Sequence, residues 1–215
     1  MKSKMKSAIK EKIDNNARRK VGKLYGFKQS SWCNWMIKDG YFFYIMHGTF
    51  TKDADLYVKP CYYDDILWRL SPGEDSDKRP NSLRAMGDFT APNFPVSENR
   101  VLLEEDADFT EENCTSVWHE VFKKVLSQID EFLIKNPDVE GFTFINNDSI
   151  GKLNDDSLAR MLQMIYHKQY KEAGAIAEEL VKNGKMGGYR WGDGNGNYKY
   201  LNEYIADYCR KYFKG

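Results

Sequence analysis

The chain predicts an α+β fold, with an antiparallel aromatic-rich β-meander in the N-terminal half packed by an N-terminal helix and a C-terminal helical half. Three observations carry this. Between Trp32 and Trp68 the chain gathers Trp32, Trp35, Tyr41, Phe42, Phe43, Tyr44, Phe50, Tyr57, Tyr62, Tyr63 and Trp68, and aromatic residues favour pleated, half-buried surfaces. Asp39-Gly40 and the Lys52 to Asp55 cluster punctuate that stretch as turns. From Asn113 onward, apolar residues recur once per helical turn instead of in strand-like runs.

The first element is an amphipathic helix. Met5, Ile9, Ile13, Ala17, Val21 and Leu24 are spaced by about one turn, with polar and basic residues between them. Gly26 is placed to end it, and the cations of its last turns suit the helix dipole. Three strands follow, Trp32 to Lys38, Tyr41 to Phe50 and Leu56 to Pro60, the first two joined by the hairpin signal Asp39-Gly40. Along the second strand Tyr41, Phe43, Ile45 and His47 share one face, and Phe42, Tyr44, Met46 and Gly48 the other. Both faces are therefore largely apolar, as in a central strand covered on each side. Asp65 to Leu70 fits a short helix or a fourth strand, since periodicity cannot choose at that length.

Residues 71–112 hold Pro72, Pro80, Pro92 and Pro95. The runs Leu83 to Phe89 and Val101 to Leu103 are candidate strands of the same sheet, with Thr90 to Asn99 as the turn between them and disorder expected around Pro72 to Pro80. Beyond Asn113, a wide stripe of Val117, Val121, Phe122, Val125, Leu126, Ile129, Phe132 and Leu133 predicts a helix stopped by Asn136-Pro137. Gly141 to Ile145 is β-like or a packed connection. Further helices are expected over Leu153 to Tyr170, Lys171 to Val181 and Tyr198 to Phe213. The expected organisation is 1–112 as helix plus sheet and 113–215 as a helical region packed on the sheet in one compact unit.

Composition bounds the function. A chain of 215 residues buries a core without metals or disulfides, and 30% charged residues with a mean hydropathy of −0.68 leave no bilayer-length apolar run. The basic start of the chain is interrupted by Lys10, Glu11, Lys12 and Asp14 where a signal peptide would be apolar, so a cytoplasmic location is expected. Cys33, Cys61, Cys114 and Cys209 never form Cys-x-x-Cys and are expected to be buried thiols. A net charge of +0 argues against a general electrostatic grip on nucleic acid. Its distribution is uneven, basic through the first segment and acidic over Glu104, Glu105, Asp106, Asp108, Glu111 and Glu112, which reads as two solvated faces.

No motif has the spacing of a known catalytic, cofactor or metal site. His47, His119 and His167 lack a second ligand at the spacing a metal needs, and no cofactor is expected. Asp193-Gly-Asn195-Gly-Asn197 opens like a calcium loop, but Tyr198 and Tyr204 stand where glycine and glutamate are required. A turn that folds Tyr189 and Trp191 back near Tyr198 and Tyr200 fits better, with Asn195 or Asn197 capping the last helix. Gly187-Gly188 is not a dinucleotide fingerprint. The leading expectation is a binding or protein-interaction module with a protein partner, using the rings that helices leave uncovered, Tyr57, Tyr62, Tyr63 and Trp68. The alternative is a hydrolase or transferase with His47 as base beside Asp64 or Asp65, while a Cys33–His47 pair requires Cys33 on the adjacent strand, opposite His47 or nearly so.

The basic helix, the joint Leu24-Tyr25-Gly26-Phe27-Lys28 and the aromatic strand pair resemble bacterial domains of unknown function of the type numbered 4304. The resemblance covers the first third of the chain. It implies no catalytic residue; some similar domains lie near toxin and immunity genes, which implies an immunity-like role in binding a protein.

Overall fold

The computed structural model describes residues 7–30, 33–47, 53–70, 79–85, 90–101, 103, 108–145, 147–151, 156–192 and 196–213. Met5, Trp32, residues 48–52 and 71–78, residues 86–89, Glu104, Glu105, Asp106, residues 153–155 and 193–195 lie outside them. Spatial clustering divides the chain into two units, each made of two stretches: Met1–Pro60 with Asn93–Lys152, and Cys61–Pro92 with Leu153–Gly215. The change of period at residue 113 falls inside the first.

In the first unit, helix α1 (Ser7–Leu24) buries Asp14, Ala17, Arg18, Val21 and Gly22. This differs from the expected stripe: Ile9 and Leu24 are exposed. Nine residues at ~100° each set Ile9 opposite Arg18, so the inner face centres on two charged residues and small neighbours. After Gly26, with φ 81°, the chain forms β1 (Lys28–Gln29), β2 (Cys33–Lys38), β3 (Tyr41–His47), β4 (Ala54–Pro60) and β5 (Phe94–Ser97). They make a five-stranded antiparallel sheet in the order β1-β2-β3-β4-β5. Asp39 and Gly40 both have positive φ, 50° and 79°, which is the geometry that follows the twist of a two-residue hairpin. As expected of a central strand, β3 is buried from Tyr41 through Ile45 on both faces.

Strand β5 lies within the stretch expected to be a turn. Pro95 is tolerated there because β5 is the last strand in the sheet order and needs no donor on its outer side. Of the expected strand Val101 to Leu103, Val101 and Leu103 lie outside any strand and Leu102 is outside the described residues, and Gly141 to Ile145 is an irregular connection that buries Phe142.

The long helix α3 (Glu111–Lys135) starts at Thr110, whose Oγ1 accepts the Asn113 N–H at 3.1 Å, with Glu111 and Glu112 in the favourable first turn. Its inner stripe, Cys114, Trp118, Val121, Phe122, Val125, Ile129 and Phe132, closes the core against α1 and the sheet. Gly22 sits where α1 approaches β2 and α3. A Cβ there would come inside contact distance of Asn34 Nδ2 and to 2.8 Å from Phe122 Cζ. Gly22→Ala is expected to lower stability by about 1–3 kcal/mol through overpacking, outweighing alanine's helical advantage of ~1 kcal/mol; an unchanged urea midpoint would contradict that close approach.

In the second unit, α2 (Cys61–Leu70) resolves the helix-or-strand ambiguity after Pro60. A 3-10 turn, Asn81–Arg84, occupies part of the expected strand Leu83 to Phe89. Then α4 (Ser157–Tyr166) and α5 (Tyr170–Lys182) lead into a small hairpin of β6 (Arg190–Gly192) and β7 (Tyr198–Tyr200), followed by α6 (Leu201–Tyr212). The fold-back of Tyr189 and Trp191 toward Tyr198 and Tyr200 is thus a ladder, with Trp191 opposite Lys199. The α6 start is held by Glu203, whose Oε2 accepts the Tyr200 N–H at 2.8 Å, in place of an asparagine cap.

Candidate functional site

Asp14 of α1 is 1% exposed yet carries a charge-bearing group, and its carboxylate is met from two other elements. Its Oδ1 accepts the Trp118 indole N–H of α3 at 2.6 Å, and its Oδ2 lies 3.0 Å from His47 Nε2 at the end of β3. The His47 and Asp14 side chains are 5% and 2% exposed, and the Trp118 ring meets the imidazole edge-on at 4.8 Å. One helical turn on, buried Arg18 donates to Asn34 Oδ1 at 2.6 Å and to Asn15 Oδ1 at 2.9 Å. Burial lowers the Arg18 guanidinium from its ordinary range, and the nearby Asp14 pulls it back up.

The other ring nitrogen, His47 Nδ1, is 3.1 Å from the Asp53 carbonyl oxygen. A carbonyl only accepts, so a hydrogen on Nδ1 would be directed at Asp53, and one on Nε2 at Asp14. The imidazole is thereby held between a buried carboxylate at Nε2 and the main-chain carbonyl of the exposed Asp53 at Nδ1. The same two contacts fix the orientation of the ring.

The histidine singled out by sequence therefore finds its carboxylate in Asp14. Asp64 and Asp65 belong to α2 in the other unit, where Arg84 reaches both: Nη2 donates to Asp65 Oδ1 at 2.6 Å and Nη1 lies 3.6 Å from Asp64 Oδ2. Asp64 also accepts the Ala91 N–H at 2.8 Å. Of the rings expected to form a recognition face, Tyr62, Tyr63 and Trp68 are 8%, 0% and 4% exposed, so their area goes into packing. Tyr62 stacks on Tyr166 at 3.9 Å and the Arg84 guanidinium covers Trp68 at 4.7 Å. Tyr57 is half-buried and stacks on Tyr44 at 5.2 Å.

Register disposes of the cysteine pairing. Cys33 is opposite Met46, and Met46 and His47 project to opposite faces of the sheet. Burial also pushes the Cys33 thiol up, and carries Cys114 and Cys209 to about 11; contrary to expectation Cys61 is only half-buried. His119 is engaged by the Tyr25 hydroxyl at 3.1 Å. Among the described residues no group of three or more His, Cys, Asp or Glu side chains could hold a metal ion, and no helix is long and apolar enough to cross a membrane.

Asp55 on β4 supplies a pH test of this sheet end. Its Oδ1 is buried without a hydrogen-bond partner, and burial, then Asp53 and Glu98, raise its carboxyl above the ordinary 3.8. The native state thus binds this proton more tightly than the unfolded chain. The resulting stabilisation is present below 3.8 and is lost as pH rises through the folded value, leaving an ionised group that costs stability at pH 7. Asp55→Asn is expected to raise the melting temperature at pH 7, with the gain shrinking toward pH 3; a gain that grows on acidification would contradict the sign.

Comparison with protein-family models, curated proteins and solved structures gave no match.

Proposed function

We propose that this protein is a hydrolase or transferase in which His47, held by Asp14, moves the proton. One observation supports the reading above the others: an imidazole oriented by a fully buried carboxylate whose second oxygen is held by an indole N–H. Such an arrangement fixes the orientation of the ring, which is what a carboxylate does for a catalytic histidine. In the reaction, a substrate oxygen or nitrogen replaces the Asp53 carbonyl at Nδ1. The proton passes from Nδ1 to the leaving group, while Nε2–H stays on the ring and hydrogen-bonded to Asp14, and Nδ1 recovers a proton from the water or acceptor hydroxyl that takes the leaving group's place. The burial of Tyr62, Tyr63 and Trp68 removes most of the recognition face on which a pure binding role would rest.

The test is a turnover screen of the full chain against aryl esters, phosphomonoesters and glycosides, followed by His47→Gln and Asp14→Asn in the responsive assay. Each substitution is expected to lower kcat by about 10²–10⁴-fold. Trp118→Phe, which loses only the indole donor, should lower it less. Absence of turnover in all three classes, or turnover that His47→Gln leaves intact, would overturn the proposal.

A further inference from the structure

We infer that the groove between the chain at Asn99 and Arg100 and the N-terminal half of α3 binds a small organic anion, a carboxylate or phosphoryl head on a short apolar tail. That this anion is the substrate rests on the proposed role of His47; that the groove binds it does not.

The groove measures about 240 Å³. That is below the ~300–1,000 Å³ of pockets for drug-sized ligands, so its occupant is small. Val117 and Val121 of α3 give it an apolar side, and Arg100 and Lys124 add two cations. Glu120 is the groove's carboxylate, and Lys123 already neutralises it at 3.1 Å. Among the described residues, the side chains of Arg100 and Lys124 make neither a hydrogen bond nor an ion pair, whereas those of Lys20, Lys38 and Arg210 each have a carboxylate. Two uncompensated positive charges beside an apolar wall select an anion with a hydrocarbon part, and a guanidinium matches a carboxylate or phosphoryl head with two parallel hydrogen bonds.

The position is as telling as the composition. Arg100 pairs with Asp53 in an isolated antiparallel bridge, and the Asn99 carbonyl accepts the Ala54 N–H. Asp53 is the residue whose carbonyl faces His47 Nδ1, so the groove wall and the proton donor share one pair of chain segments. The wall is held in place: the Asn99 amide exchanges hydrogen bonds with Gln128 of α3, both at 3.2 Å.

The test titrates the full chain with hexyl phosphate, hexanoate, hexanol and inorganic phosphate at low salt, by calorimetry or amide chemical shifts. Saturable binding of a hexyl anion at least tenfold tighter than hexanol or inorganic phosphate is expected, and the preference between hexyl phosphate and hexanoate identifies the head. The exposed pair R100Q/K124Q should weaken it at least tenfold with an unchanged circular-dichroism spectrum. No saturable binding of either anion, or binding that the double variant leaves within twofold, would overturn the assignment. Anion binding that needs Arg100 and Lys124 in a protein without His47-dependent turnover would keep the groove and discard the catalytic reading; His47-dependent turnover without anion binding would do the reverse.

Discussion

Asp14→Ala is expected to lower the unfolding free energy by about 3–5 kcal/mol, the range for removing one partner of a buried ion pair. The size follows from what is stranded. Asp14 is the acceptor for His47 Nε2 at 3.0 Å and for Trp118 Nε1 at 2.6 Å, and alanine leaves both donors without it in a site that is almost closed to water. Arg18, itself 2% exposed, also loses the anion that offsets its burial. Asp14→Asn should cost less, because the amide oxygen still accepts from one donor. The double change Asp14→Leu with His47→Leu should recover part of the alanine loss, since the imidazole is then no longer stranded, while Trp118 Nε1 and the buried Arg18 remain without the carboxylate. Urea midpoints measure all three; an alanine loss below ~1 kcal/mol would mean that the pair reaches water despite its geometry.

Phe132→Ala should be about as costly, about 3–5 kcal/mol. Phe132 of α3 is 2% exposed and meets Tyr41 edge-on at 5.1 Å, Phe43 edge-on at 5.5 Å and Phe142 at 6.3 Å. Three rings from β3 and the connection after α3 therefore lose a common neighbour, and close-packed rings refill a cavity poorly. The same substitution at Ile134 removes a side chain that is 79% exposed and should stay within ~0.5 kcal/mol. Equal effects at the two positions would contradict the placement of the α3 inner stripe.

Much of the sheet was legible. Asp39-Gly40 specified its turn because two consecutive positive φ values favour those residue types, and both faces of Tyr41 to Ile45 are buried as their apolar alternation requires. Strand β5 was not legible: Phe94 to Ser97 is short, contains Pro95 and is surrounded by turn formers, so only pairing with β4 makes it a strand. The helix-or-strand choice at Asp65 to Leu70 was settled by burial of Tyr62, Tyr63, Ile66, Leu67 and Trp68 at helical spacing.

The site divides the same way. His47 stood out in the sequence because it is rare and lies on the aromatic strand. Asp14 did not. It was one charge among many on a helix whose apolar residues pointed to a different inner face, and 33 residues separate it from His47. The i, i+4 spacing of Asp14 and Arg18 around Ala17 and Val21 was the available signal, ambiguous because the same pair is common on solvated helices. Arg84, the cation that reaches Asp64 and Asp65, lay in a proline-rich stretch with no period to place it.

By itself the sequence determined the local matters: where the amphipathic helices and aromatic strands lie, how the first hairpin turns, and that no metal or nucleotide motif is spelled along the chain. Those follow from spacings of a few residues, which the backbone geometry of one element decides. Only the tertiary structure decided which side of α1 faces inward, that Asp14 meets His47 and Trp118, and that Tyr62, Tyr63 and Trp68 serve packing. Those depend on contacts across the fold, where burying a charge is tolerated only if a residue far along the chain arrives to pair with it.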